Sequence, residues 1–290
     1  MALQTRTFFH EPTSTFSYVV ADTAARRAAI IDPVLDYNAA AGHTATASVQ
    51  AMVTYVRECN FSLEWVLETH AHADHLSAAQ FVRRELGGKI ALGEGICAVQ
   101  RHFKSLYNLE EGFIPDGRQF DHLFRDGETF RIGKLDARVM ATPGHTSDSV
   151  TYVIGEAAFV GDTLFMPDSG TARCDFPGGD AGRLYDSIRR ILSLPEATRL
   201  CVCHDYAPGG REHQNETTVA EQKHANIHVH DGVSREEFMK LRTARDKTLN
   251  VPALLLPAIQ VNIRAGALPE CEGNGIAYLK IPLNAPLSKE

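Results

Sequence analysis

Apolar residues along this chain fall into two rhythms, short alternating or unbroken runs that suit strands and stripes at helical spacing, and the two take turns. "TFSYVVAD" and "AAIIDPV" predict paired strands joined by a turn around Thr23 to Arg27. "TASVQAMVTYVRECN" has helical spacing, "LEWVLETH" predicts a buried strand, "HLSAAQFVRRELGG" a helix stopped by glycines, and "KIALG" the next strand. From about residue 112 to 165 the character changes. "ETFRIGKLDARVMATPGH" and "SVTYVIGEAAFVGDTLF" predict strands separated by Gly and Pro turns, followed by an amphipathic helix, "DAGRLYDSIRRILSL", and a last strand, "TRLCVCHDY". Two β-rich halves, each with helices, predict two sheets packed face to face with helices outside, an α+β sandwich rather than one parallel sheet. The expected organisation is a catalytic domain over residues 1–230 and a helical and extended C-terminal segment over 231–290 that packs on it.

Composition changes this picture little. The apolar and charged fractions, 44% and 22%, are those of a globular chain of 290 residues with ample core. A net charge of -7, with no dense Lys/Arg run, argues against a nucleic-acid partner. The beginning of the chain has neither a signal-peptide stretch nor an Arg-rich transit pattern, and "VPALLLPAIQV" is too short and too proline-broken to cross a bilayer, so a cytoplasmic protein without a membrane partner is expected. The six cysteines form no CxxC pair and are expected to be free thiols.

The chemistry concentrates at strand ends. "LETHAHADH" delivers His70, His72, Asp74 and His75; "VMATPGHTSDS" delivers His145; "AAFVGDTLF" delivers Asp162; "RLCVCHDY" delivers His204. Positions two apart on a helix diverge, whereas a loop leaving a strand can turn them to one point, so the cluster predicts a metal centre built from loops. The other histidines, His10, His43, His102, His122, His213, His224, His228 and His230, are expected to be ordinary packed or solvated side chains.

"THAHADH", "TPGHTSDS", "GDTLF" and "CHDY", in this order and spacing, resemble the metallo-β-lactamase superfamily over roughly residues 10 to 215, which implies an αββα four-layer sandwich. In that family His70, His72 and His145 would hold one metal, Asp74, His75 and His204 a second, and Asp162 could bridge. A hydrolase would use one or two Zn2+ to make a hydroxide, while an oxygenase would use Fe(II) on two histidines and one carboxylate. The ligand residues alone fit both.

"IIDPVLD", "SGTARCDFPGGD" and "HDYAPGGRE" resemble the bacterial persulfide dioxygenases. That resemblance implies oxidation of glutathione persulfide by O2 to sulfite and glutathione, at one Fe(II) held by His70, His145 and Asp162. His72, Asp74, His75 and His204 would then orient the ligands, and Arg173, Tyr206 and Arg211 would bind the glutathione. Glyoxalase II, the zinc-dependent glutathione thioester hydrolase of the superfamily, is the alternative; it typically has His-Glu-Tyr where this chain has His204, Asp205 and Tyr206. A salt bridge to Asp175 is the plain alternative for Arg173. Cys174 stands where the dioxygenases usually have threonine, and would be either oxidisable or a space filler. The apolar segment "ALLLPAIQV" is expected to be exposed and could serve a homodimer interface.

Overall fold

The computed structural model describes residues 3–285. The chain begins with three antiparallel strands, β1 (Leu3–His10), β2 (Thr15–Asp22) and β3 (Arg27–Ile31), then β4 (Val34–Asn38), β5 (His43–Ala45) and α1 (Ala47–Glu58). Next come β6 (Ser62–Leu67), β7 (Leu76–Ser77), α2 (Ala79–Leu86), β8 (Lys89–Gly93), α3 (Ile96–Leu106) and β9 (His122–Phe124). The second half holds β10 (Thr129–Ile132), β11 (Leu135–Ala141), β12 (Val150–Ile154), β13 (Ala157–Phe159), α4 (Ala181–Ile191), β14 (Arg199–Cys201), β15 (Glu216–Thr218), α5 (Val219–Ala225), α6 (Arg235–Asp246) and α7 (Leu255–Asn262).

Two six-stranded sheets result, in the orders β1-β2-β3-β6-β8-β9 and β10-β11-β12-β13-β14-β15, with a small β5-β4-β7 sheet beside them. Strand β2 explains the sandwich. Its alternate residues Tyr18 and Val20 join the core between the sheets with Tyr152 and Phe159, while Val19 and Ala21 join a second core under α1, α2, α3 and α7. A strand covered on both faces reads as an unbroken apolar run, and all eight residues of β2 are buried. On the opposite side, Leu184, Ile188 and Ile191 of α4 recur at helical spacing and cover the second sheet. The four layers expected from the strand and helix rhythm are therefore present.

Four local expectations are corrected. Leu76 and Ser77 do not begin a helix; they pair with β4, and α2 starts at Ala79, because the Ser77 amide is taken by Asn262 Oδ1. Strand β1 precedes the first run read as a strand, on an edge where half-exposed polar residues weaken the pattern. Helix α3 was missed although Ile96, Val99 and Phe103 carry its stripe. The segment "ALLLPAIQV" is not an exposed interface: α7 buries Leu255, Ala258, Ile259 and Val261 against the rest of the chain, and Pro257 lies in its first turn, where a missing amide proton costs little. No helix among the described residues is long and apolar enough to cross a membrane.

Candidate metal centre

The loop after β6 is held open by side chains from three distant places. Asp32, at the end of β3, accepts from the Thr69 amide and hydroxyl at 2.7 and 2.8 Å; Asp148 accepts from the Ala71 amide at 2.8 Å. Asn262, at the end of α7, donates to the carbonyls of His72 and His75 and accepts from the Ser77 amide, all at 2.8 Å. His145 follows Gly144, whose backbone lies so close to α4 that a Cβ there would fall 2.3 Å from Leu184 Cα. Only glycine allows that approach.

The partners of the imidazoles fix which nitrogen is bare. His145 Nδ1 faces the Arg173 carbonyl at 2.7 Å and His204 Nδ1 the Ser14 carbonyl at 3.1 Å; a carbonyl can only accept, so each Nδ1 carries the proton. His75 Nδ1 donates in the same way to Asp74 at 3.3 Å. His70 Nδ1 lies 3.1 Å from Thr69 Oγ1, whose own proton goes to Asp32. In the neutral form of each of these four rings the lone pair is therefore on Nε2. His72 is reversed, with Nε2 on Asp32 at 2.9 Å and Nδ1 left bare. Nε2 of His70, His75 and His204, Nδ1 of His72 and Asp162 Oδ1 are buried without a hydrogen-bond partner.

Buried orphans of this kind are costly unless something else meets them. Ligand atoms that are each roughly 2.1 Å from one ion sit about 3 to 4 Å apart. Asp162 Oδ2 is 3.9 Å from His70 Nε2 and 3.6 Å from His145 Nε2, while its Oδ1 is 3.4 Å from His204 Nε2, which is 3.3 Å from Asp74 Oδ2. The donor set therefore fits a metal. His70, His145 and Asp162 form one group, His72, Asp74 and His75 another, and Asp162 and His204 a third with Cys203, each with ligand atoms within 4.8 Å. Burial, together with the neighbouring imidazoles, pushes His70 well below the usual histidine range and His75 to about 4, so both are neutral at physiological pH, as a metal would need them to be.

A cavity of about 470 Å³ opens onto His145, Asp162 and Asp74, within the size range of small-molecule sites. Phe165, Phe176 and Tyr206 line it. Tyr206 stacks on His204 with ring centroids 5.8 Å apart. Arg173 lines it too, but its guanidinium is engaged by Asp175 at 2.7 Å through two nitrogens and by the Asn250 carbonyl at 2.6 Å, so the plain alternative for this residue is what the structure has. Arg211 is placed elsewhere. It lies outside the cavity lining and is forked between Asp168 and Asp205 at 2.5 to 2.8 Å, which leaves its guanidinium no free edge for a substrate. Cys174 is buried with its thiol on Asp246, and burial pushes it up to about 12.

Sequence reasoning missed Asp32, Glu68, Asp148, Asn262, His228, Arg242, Arg245 and Asp246. Asp32 ends a strand like the recognised ligands, so the signal was present in "AAIID". Glu68 is buried, hydrogen-bonded to Ser77 and 3.5 Å from His72 Nε2. His228, expected to be an ordinary side chain, lines the cavity. One expectation follows for the thiols. A thiol reagent applied to the native protein should modify exposed Cys271 and spare buried Cys174, Cys201 and Cys203, as read by peptide mass mapping; early labelling of Cys174 would contradict its placement.

The sequence profile described as the Metallo-beta-lactamase superfamily matches residues 10–204. A probable metallo-hydrolase of Burkholderia pseudomallei is 52% identical over 96% of this chain and 98% of its own length. Beta-lactamase hydrolase-like proteins of Xylella fastidiosa and Agrobacterium fabrum are also 52% identical, but the chain spans only 64% of their length. The mitochondrial persulfide dioxygenase ETHE1 of Homo sapiens is 30% identical over 90% of this chain and 88% of its own. The crystal structure of ETHE1 from Myxococcus xanthus superposes with a TM-score of 0.71 at 32% identity, covering 92% of this chain and all of that one.

Proposed function

The chain belongs to the metallo-beta-lactamase superfamily, and from that premise we propose that it is a persulfide dioxygenase holding one Fe(II) on His70, His145 and Asp162. The observation that carries the proposal is the convergence of two bare imidazole nitrogens on one oxygen of Asp162, with His145 and Asp162 facing the cavity. Two histidines and a carboxylate on one side of a metal leave the opposite side free for O2 and substrate. The likeness to ETHE1 of Homo sapiens and of Myxococcus xanthus supports the same reading.

Bound iron would supply the redox chemistry. The reaction balances as glutathione persulfide, O2 and water giving glutathione, sulfite and two protons. The protein's residues do the positioning. The Arg173 carbonyl holds the His145 ring through Nδ1, and Thr69 holds His70 in the same way, so neither ligand can turn from Asp162 without losing a hydrogen bond. Phe165, Phe176 and Ala73 give the cavity apolar walls that keep bulk water from the reacting sulfur.

A second reading is favoured by the bare Nε2 atoms of His75 and His204 beside Asp74 and Asp162, which could hold a further ion. With the metallo-hydrolase name of the Burkholderia pseudomallei relative, they support a zinc-dependent hydrolase of glutathione thioesters. Oxygen consumption separates the two. The Fe(II)-loaded protein given glutathione persulfide is expected to take up O2 in step with sulfite, and the Zn2+-loaded protein to take up none. Absence of uptake at verified iron occupancy, with thioester hydrolysis by the zinc form, would replace the first reading by the second.

A further inference from the structure

Three arginines line the cavity, Arg173, Arg242 and Arg245, and Arg211 lies outside its lining; of these four, three are neutralised within the protein. Arg173 is held by Asp175 and the Asn250 carbonyl, and Arg211 by Asp168 and Asp205. Arg242 is buried, with Nε and Nη2 on Asp246 at 2.8 and 2.6 Å and Nη1 on the Thr171 carbonyl at 3.0 Å. Arg245, one turn of α6 further on, is different. Among the described residues its side chain has no ion pair or hydrogen bond, and it lines the same cavity as His145 and Asp162.

His228 adds a second donor. Its Nδ1 accepts from the Thr171 amide at 3.1 Å, and a backbone amide can only donate, so the ring proton sits on Nε2. The ring is fixed from behind by Gly170, at φ +84°, where a Cβ would fall 2.2 Å from His228 Nδ1. Gly170 is itself held through its carbonyl by Asn226. Nε2 has no hydrogen bond within the described residues, and the ring lines the cavity. Burial, with the charges of Arg242 and Arg245, pushes His228 down to about 4, so it is a neutral donor at physiological pH.

We infer that Arg245 and the Nε2–H of His228 form the anchor for a carboxylate of the thiol carrier, and that this anchor selects persulfides bearing a carboxylate remote from the sulfur. The inference rests on the cavity being the substrate cavity of the proposed dioxygenase. One unpaired guanidinium and one neutral N–H suit a planar monoanion, which a guanidinium grips with two parallel hydrogen bonds. A phosphate dianion would call on Arg173 and Arg242, and Asp175 and Asp246 already occupy them. The anchor also gives the C-terminal segment a direct part in substrate choice, which no strand-end motif indicated.

The test compares Arg245→Gln and His228→Gln with the unaltered Fe(II)-loaded protein on two persulfides, that of glutathione and that of cysteamine, which has no carboxylate. Arg245→Gln is expected to raise KM for glutathione persulfide about tenfold or more with kcat changed little, His228→Gln to raise it several-fold, and KM for cysteamine persulfide to hold. Equal changes on both substrates, or none on either, would overturn the anchor. Calorimetric binding of glutathione to the metal-loaded protein gives an answer independent of turnover. Weaker glutathione binding in Arg245→Gln would sustain the anchor even if no persulfide supported oxygen uptake, which would sink the dioxygenase reading alone. Unchanged binding beside normal uptake would sink the anchor alone, and an unaltered protein that neither binds glutathione nor consumes oxygen would sink both.

Discussion

Alanine at His70, His145 or Asp162 should each lower iron retention by more than about 100-fold, while alanine at Asp74 should leave most of the iron in place. Loss of a residue that merely orients a ligand typically costs 10–100-fold in metal affinity, and loss of the ligand itself should exceed that. The distances set the contrast. Asp162 Oδ2 looks toward His70 and His145 at 3.9 and 3.6 Å, whereas Asp74 is turned to His75 and His204, at 3.3 Å from each. Iron content after dialysis, measured by plasma emission on variants with native circular dichroism, decides the matter. Equal loss in all four variants would mean that the two groups act as one binuclear site, and the single-iron reading would be abandoned.

Asn262→Ala should produce a stability loss as large as that of truncating a buried core aromatic. Its amide satisfies two carbonyls and one N–H of the metal loop, all buried, and truncation leaves the three without partners. At about 1 to 3 kcal/mol for each stranded group, with incomplete additivity, the loss should be about 3 to 5 kcal/mol. A drop in Tm of about 10 °C or more is expected from that. Asn262→Asp is a sharper probe, since a carboxylate can still accept from Ser77 but faces the carbonyls of His72 and His75 with acceptors; it should be no better than alanine. A Tm within 2 °C of the parent for both variants would show that the loop does not depend on α7.

What the sequence revealed and what it hid divide by the range of the interaction. A strand end that offers a candidate metal donor is a local pattern: the apolar run, the turn and the polar residue lie within ten positions, so His70, His145, Asp162 and His204 could be found one stretch at a time. The features that hold or serve those candidate donors are not local. Asn262 acts on residues 185 to 190 positions earlier, and Arg242 reaches Thr171 across 71. Nothing near residue 262 announces that role. Arg211 shows the converse error, because a residue correctly placed beside a ligand strand was assigned to the substrate, while Asp168, 43 positions away, takes its guanidinium. The apolar α7 was misread for the same reason: periodicity tells which face is apolar, not which neighbour covers it.

The bond between Asn262 and the histidine loop also imposes an order on how the protein is made. His72 leaves the ribosome 190 residues ahead of the amide that will tie down its carbonyl. At about 5 to 20 residues per second, the nascent loop waits roughly 10 to 40 seconds before its backbone can be completed. By the end of that interval the chain carries five imidazoles and two carboxylates on an unfinished scaffold, so any metal met before residue 262 emerges would find a looser set of donors than metal met after release.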